Sequence, residues 1–508
     1  MAAKLTTFSK FLITSAIVGA VGYGLYYVAK KTDLIPKKEN SESLSDVGDA
    51  EVIKVGVVTW GGYVGGQYFN GGFKASKESR YYKDYGILVE FIVDDDFNSS
   101  REKWKAGKID VLWTTIDAFP TEVVGLAEYE PKIIFQADWS RGGDAIVVRR
   151  GINSVGDLRG KKIAVAQGTP SNTFLLWLLE ANDMTVNDVK IINVASAIDA
   201  ANTFRTNNVD AAVVWSPDDK DCVEKVPGSK ILVNTKTATN IIADVFFVKK
   251  KYLEKNEKAL KALVEGWLKG AAEINSSEDI KKEAAKMLAK NLPGDFPEEF
   301  TLNAINNARL CTYGDNLNFF GLNDSYNGVT GEQLYTKMGA QYEKIGLAPA
   351  SRPPYREIVY SGIIKQINLT GATHSAEGAA EFSKVTEEDK NKTAISSKKV
   401  SITFPTGSYK LDENAKYIID ISFLEIAKTF ANARIRIEGN TDNTGNPEAN
   451  RQLSLKRAQA VADYLIKEHG FDPNRFIIVG NGSDKPIADN ATEEGRAKNR
   501  RTEFQLLN

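Results

Sequence analysis

The chain has 508 residues, 42% hydrophobic and 26% charged, with a formal net charge of -1. That length exceeds what one core supports and predicts two or three domains, while the balanced charge leaves no global footprint for nucleic acid or an anionic surface. Two histidines and two cysteines make no zinc cluster, and Cys222 and Cys311 are compatible with one disulfide or with two buried thiols.

The first element in chain order is FLITSAIVGAVGYGLYYVA, residues 11–29, uncharged and bounded by Lys10, Lys30 and Lys31. As a helix it extends about 28 Å, close to the thickness of a bilayer's hydrocarbon core. Tyr23, Tyr26 and Tyr27 gather at one end, where an interfacial aromatic belt belongs. No small-x-small cleavage site precedes the lysines, so an uncleaved transmembrane helix is expected ahead of a secretory signal. It holds no ionisable group, which argues against a proton-conducting helix. Residues 30–50 are polar and aperiodic, a tether.

EVIKVGVVTW then reads as a strand running into the glycine-rich GGYVGG. ILVEFIVDD, IDVLWTT, AIVVRR, KKIAVAQGT, VKIINV and VDAAVVW continue the strands, with helical stretches such as TFLLWLLEAN between them. That alternation predicts a parallel or mixed α/β sheet. Residues 247–288 read as mainly helical and 291–360 as loop-rich. GGYVGG lacks the dinucleotide-binding spacing and its acidic partner, so no cofactor is expected. Asp94, Asp95 and Asp96 read as a solvated turn, and no metal site is expected. The region has no histidine, and no nucleophile, base or metal constellation marks an enzyme.

Ligands of open α/β sheets bind beyond the carboxyl ends of the strands. Trp60, Thr115, Thr169, Ser171 and Trp215 fall at such ends. Thr169 followed by Pro170 suits a helix start, whose free amides at Ser171 and Asn172 would hold an oxyanion. The same residues also fit a cap that binds nothing, and the tryptophans fit a core.

IKVGVVTWGGY, GKIDVLWTTIDAF, RGGDAIVVRRGINSVGDLRGKKIAVAQGTPSNTFLLWLLE and NNVDAAVVWSP, in that order, resemble periplasmic substrate-binding proteins of the nitrate, sulfonate and thiamine-precursor group (NMT1-like). The resemblance implies a two-lobed module over residues 51–345, one lobe from 51–145 with 240–345 and the other from 146–239. It implies a small anionic or zwitterionic solute between the lobes, with Trp60, Thr115, Thr169, Ser171, Trp215 and Asp244 as its walls, and a transporter as partner. Asp244 would take a ligand ammonium or cap the second crossing between lobes, and Asp144 would serve the hinge.

Residues 346–398 mix apolar runs with polar turns and read as a linker. Residues 399–508 give a βαβαβ pattern. The strand RIRIEG leads to a TDNTG turn carrying Asp442; the next helix has Leu453, Ala460 and Leu465 as its apolar face and Arg457 at its rim. An acid and a base on one rim suit a zwitterion, or pair with each other as a structural salt bridge.

FPTGSYKL, EGNTDNTGNPEANRQLSLKRAQAVADYL and GNGSDKPIADNATEEGRAKNRRTEF resemble the carboxy-terminal peptidoglycan-binding domain of outer-membrane protein A. The resemblance implies a grip on the diaminopimelate of a stem peptide. Asp442 would take its ammonium and Arg457 its carboxylate, with Thr444, Asn450 and Leu453 lining the pocket and Arg501 supporting it. Asn440 stands where the family usually has histidine, and Pro405 where it has an acid. Pro405 is expected to weaken binding by removing a polar contact.

The whole reads as an α/β protein: a transmembrane helix, a bilobal periplasmic-binding-protein-like module and an OmpA-like domain. The expected protein crosses the inner membrane once, has its bulk in the periplasm, and is a wall-attached, non-enzymatic solute receptor. The alternative is a scaffold linking a membrane complex to the wall, its bilobal module used for protein contact.

Overall fold

The computed structural model describes residues 52–402, 404 and 407–507, so the expected membrane helix 11–29, the tether 30–50 and Pro405 lie outside the described residues. Among the described residues no helix is long and apolar enough to cross a membrane.

Strands β1 (Val52–Val57), β2 (Leu88–Val93), β3 (Val111–Thr115) and β4 (Pro131–Ser140) build most of a first sheet. The chain crosses at Arg141–Gly143 into a second sheet made of β5 (Asp144–Val148), β6 (Lys162–Val165), β7 (Lys190–Asn193), β8 (Ala211–Trp215) and β9 (Lys230–Asn234). It returns through residues 235–242 to place β10 (Ala243–Lys249) and β11 (Ala308–Leu310) in the first sheet. The orders are β11-β4-β10-β3-β1-β2 and β7-β6-β8-β5-β9. Two sheets joined by two short crossings form a hinge. Cys222 and Cys311 lie in different sheets' layers, each buried and free.

GGYVGG is not an anion loop. Its second half opens the helix Val64–Asn70, which packs on the helix Lys250–Ser276. A Cβ at Gly66 would sit 2.2 Å from the Trp267 ring, and one at Gly270 would sit 2.1 Å from the Gly65 carbonyl oxygen. The glycines let two helix backbones touch. Gly270→Ala is expected to destabilise by about 1–3 kcal/mol despite alanine's better helix propensity, because the obstructing atom is backbone. Thermal unfolding measures this; an unchanged midpoint would mean that the helices simply slide apart.

The stretch expected to be loop-rich is largely helical, with helices Glu298–Asn306, Tyr313–Phe319 and Gly331–Lys344. The last starts with reciprocal capping between Thr330 and Gln333 and buries Leu334, Tyr335, Met338 and Tyr342. Asn- and Gly-rich turns between short helices disguise their period. The expected linker also packs: Tyr360 N–H donates to the Ile133 carbonyl at 2.8 Å, and Ile363 and Ile364 are buried.

The third sheet comprises β12 (Ser396–Val400), β13 (Arg434–Gly439), β14 (Phe476–Gly480) and β15 (Thr502–Leu507), in the order β12-β15-β13-β14. The helix Pro447–His469 lies on it through Ser454, Ala458, Val461 and Leu465, while Leu453 and Ala460 are only half-buried. The buried stripe is shifted because Gly439 and Gly480 admit the backbone around Ser454. A Cβ at Gly439 would lie 2.2 Å from the Ser454 carbonyl oxygen.

This sheet is bonded to the second one. Ser397 N–H donates to Asn182 Oδ1 at 3.0 Å, Lys399 N–H to Asp183 Oδ2 at 2.8 Å, and Val155 N–H to the Ile395 carbonyl at 2.8 Å. At the second crossing, Asn240 N–H donates to the Thr429 carbonyl at 3.0 Å and Asn432 Nδ2 to the Lys236 carbonyl at 3.1 Å. Lys337 of the helix Gly331–Lys344 joins Glu180 and Glu425 at 2.9 and 2.7 Å.

Candidate functional site

The Asp442 turn is pinned at its start. Asn440 N–H donates to the Arg501 carbonyl and Thr441 N–H to the Gly482 carbonyl, at 2.9 and 2.8 Å. Asp442 Oδ1 accepts from Thr444 N–H at 2.9 Å, and Oδ2 from Arg500 Nη1 at 2.7 Å. Asn450 Nδ2 donates to the Thr444 carbonyl at 3.0 Å and closes the turn. Burial works to raise the Asp442 carboxyl, but Arg500 and Thr444 outweigh it and hold the group below the usual carboxylate range.

Arg457 makes a different set of contacts. Its Nε donates to the Ser408 carbonyl at 3.1 Å and its guanidinium lies 4.8 Å over the Phe404 ring. Burial depresses its pKa, and neighbouring Arg500 adds to that against the pull of Asp442. Among the described residues the acid and the base do not pair with each other: Asp442 pairs with Arg500. Arg457, Arg500 and Lys498 line a cleft of ≈ 480 Å³ together with Phe404, Asn440 and Glu494. Its charged lining is mostly cationic, with Glu494 the acid among them. Thr444, Asn450 and Leu453 are not among its lining residues. Arg501 also borders the cleft; it is 5% exposed, bonded through Nε to Glu503 at 2.7 Å and through Nη2 to the Lys485 carbonyl at 3.1 Å.

A second group of residues lies between the first two sheets. Trp60 Nε1 is 3.3 Å from both carboxyl oxygens of Asp138, and a Cβ at Gly143 would meet the Trp60 ring at 2.3 Å. The indole therefore sits against the first crossing. Asp244 lies opposite Asp138 in the β10–β4 register and opposite Thr115 in the β10–β3 register, and accepts from Tyr63 Oη–H at 2.6 Å. Asp144 Oδ2 accepts from Ser140 Oγ at 2.8 Å, and Asp144 is the partner of Trp215 in the β5–β8 register. The Trp215 ring is 6.3 Å from Phe97 of the first lobe.

The start of the helix Pro170–Glu180 is covered. Thr169 Oγ1 turns back to the Ala166 carbonyl at 2.7 Å and caps nothing. Tyr342 Oη donates to the Thr169 carbonyl at 3.1 Å and bonds Thr173 Oγ1 at 2.7 Å. Ser171 is buried beneath, its hydroxyl without a partner.

The charge here is opposite in sign to what an oxyanion requires. Asp117, Asp138, Asp144 and Asp244 are all buried, and none has a lysine or arginine partner among the described residues. Burial pushes Asp117 and Asp144 up to about 7. Asp138 and Asp244 are raised by burial first and then by their acidic neighbours.

Residues 403–500 match the OmpA family model, and residues 70–278 match the NMT1/THI5-like model. The chain carries an OmpA domain behind an NMT1/THI5-like region. Outer membrane porin F of Pseudomonas aeruginosa is 37% identical over 107 residues, 21% of this chain and 30% of the relative. Outer membrane protein Omp38 of Acinetobacter baumannii is 47% identical over 96 residues, 18% of this chain and 27% of the relative. The peptidoglycan-binding protein ArfA of Mycobacterium tuberculosis is 53% identical over 77 residues, 15% of this chain and 23% of the relative. The chain thus spans less than a third of the length of these three. Among solved structures, the periplasmic aliphatic sulphonate binding protein SsuA from Escherichia coli is 18% identical with a TM-score of 0.47, over 62% of this chain and 99% of that one. The periplasmic nitrate-binding protein NrtA from Synechocystis is 14% identical with a TM-score of 0.42, over 63% and 86%.

In the OmpA domain the residue that sequence reasoning missed is Arg500, next to the expected Arg501. Both belong to the NRR run between the helix Glu493–Asn499 and β15, where adjacent positions split between Asp442, bonded by Arg500, and Glu503, bonded by Arg501. In the NMT1/THI5-like region the missed residues are Asp117 and Asp138. Asp138 sits in PKIIFQADWS, whose strand character had no turn signal to frame it.

Proposed function

We propose that the chain is a wall-attached solute receptor of the bacterial envelope. The OmpA domain would hold the diaminopimelate of a peptidoglycan stem peptide, Arg457 taking a carboxylate and Asp442 the ammonium. The observation that carries this reading is the free edge of Arg457: its guanidinium lines the cleft and uses Nε on the Ser408 carbonyl, while Asp442, outside that lining, is held by Arg500 and Thr444. A planar fork beside a cleft is the geometry for bidentate carboxylate recognition. The peptidoglycan-binding relative supports the same ligand.

The bilobal module would close on a small solute by hinge motion, as two sheets on two crossings permit. Residues 11–29 would anchor the chain in the inner membrane, with the bulk in the periplasm and a transporter or another membrane complex receiving the solute. A second reading, the scaffold, is favoured by the bonds that fix the OmpA domain to the second lobe and the second crossing.

Two measurements test these readings. Purified full-length protein is expected to sediment with intact sacculi and to be released by free diaminopimelate; sedimentation indifferent to diaminopimelate would remove the pocket assignment. Native mass spectrometry of the same protein is expected to find a small mass lost on unfolding. If none is found and no solute raises the thermal midpoint, the scaffold replaces the receptor.

A further inference from the structure

The cleft between the lobes has a definite chemistry. Asp117, Asp138, Asp144 and Asp244 are each 5% exposed or less. Asp117 Oδ2 and Asp144 Oδ1 have no hydrogen-bond partner, and neither do the hydroxyls of Thr115 and Ser171. A buried acceptor without a donor is costly, so this set is stabilised by whatever brings N–H groups to it. An anion would add repulsion instead.

The aromatic residues point to the same ligand. Trp60 Nε1 bonds Asp138, and Trp215 is the register partner of Asp144. Phe97 and Trp113 pack at 5.0 Å, and the guanidinium of Arg101 lies 5.2 Å from one ring centroid and 5.0 Å from the other. These ring faces therefore already hold a cation of the chain's own. Carboxylates flanked by π faces are the environment in which a desolvated ammonium is most stabilised.

The kind of cation follows from the donors required. Among the described residues no group of three or more acidic, histidine or cysteine side chains is placed to hold a metal ion. A quaternary ammonium brings no N–H to Asp117 Oδ2 or Asp144 Oδ1. A primary or secondary amine brings two or three.

We propose that the interlobe cleft takes a small protonated primary or secondary amine, bonded by Asp144 and Asp117 and flanked by Trp60 and Trp215. The proposal rests on the solute-receptor reading and names its ligand class. Asp117 is on the first lobe and Asp144 at the start of the second, so one ammonium would draw both lobes together. Entry requires the lobes to part and breaks bonds between them, among them Thr121 Oγ1 to the Gly168 carbonyl and Asn307 Nδ2 to Ser216 Oγ, each at 3.0 Å, Tyr342 Oη to the Thr169 carbonyl at 3.1 Å and to Thr173 Oγ1 at 2.7 Å, and Lys337 to Glu180 at 2.9 Å.

The test is calorimetry and thermal unfolding of the full chain at pH 7 with putrescine, choline, methanesulfonate and nitrate. Putrescine is expected to bind and to raise the midpoint, choline to bind at least tenfold more weakly, and the two anions not to bind. Asp144→Asn and Asp117→Asn should each weaken putrescine at least tenfold, while the exposed Asp279→Asn should not. Retained sedimentation with sacculi shows that a variant is folded. Putrescine binding unaffected by both cleft variants would overturn the site. Binding of an anion but no amine would overturn the ligand class and leave the receptor reading standing. Binding of none of the four, with no small mass released from the native protein, would overturn both.

Discussion

Arg457→Ala is expected to leave the protein in the supernatant when sacculi are pelleted, with affinity reduced at least tenfold. Truncating one partner of a desolvated charge pair costs about 2–5 kcal/mol, and every 1.4 kcal/mol is tenfold. Folding should suffer little, because Arg457 contributes one bond to the Ser408 carbonyl and one contact with the Phe404 ring. That is worth about 1 kcal/mol. Arg457→Lys keeps the charge and loses the planar fork, so an intermediate affinity is expected. Asp442→Asn removes the partner of Arg500 while keeping an acceptor for Thr444 N–H, and should also release the wall. Arg451→Ala, an exposed residue paired with Asp484, is the control. If Arg457→Ala sediments like the unaltered chain, the carboxylate is held elsewhere.

Stability is expected to fall as pH rises from about 4 to about 8, the reverse of the usual behaviour of carboxylates in salt bridges. The sign follows from proton counts. An aspartate released by unfolding ionises near 3.8, whereas Asp117 and Asp144 keep their protons up to about 7 in the closed fold. Through that window the folded chain binds more protons than the unfolded one, so each added pH unit favours unfolding. A displacement of about 3 units corresponds to roughly 4 kcal/mol for one group, the order of magnitude that matters here. Parting of the lobes relieves the same repulsion, so part of the effect should appear as opening of the cleft. Asp219 and Tyr63 face these acids as well, and Arg101 contributes at Tyr63. Thermal unfolding across pH 4–8 measures the slope; Asp117→Asn with Asp144→Asn should flatten it. A slope identical in the double variant would place the buried charge elsewhere.

The sequence made some of this legible and hid the rest for identifiable reasons. Strands such as KIAV and AAVVW stand out because both faces are covered and the apolar run is unbroken. The Asp442 turn and the Arg457 helix were legible as neighbouring elements because they lie close together in the chain. The cleft was not: Asp117, Asp138, Asp144 and Asp244 come from four segments, and only the return of β10 between β3 and β4 brings Asp244 beside Asp138. Thr169 and Ser171 looked like an anion nest since the covering residue, Tyr342, is 169 residues beyond Thr173, the residue it bonds.

Strand β12 has a consequence for anyone who divides this chain. Its five residues complete the third sheet through β15, while the neighbouring Ile395, and Ser397 and Lys399 within it, hold the second lobe. A cut made before Ser396 frees the OmpA domain but strips the second lobe of its bonds to Ser397 and Lys399. A cut made after Val400 leaves the third sheet without its edge. Neither fragment is the natural one. Separately expressed halves should be judged by whether they reassociate, since the piece that belongs to both is only one strand wide.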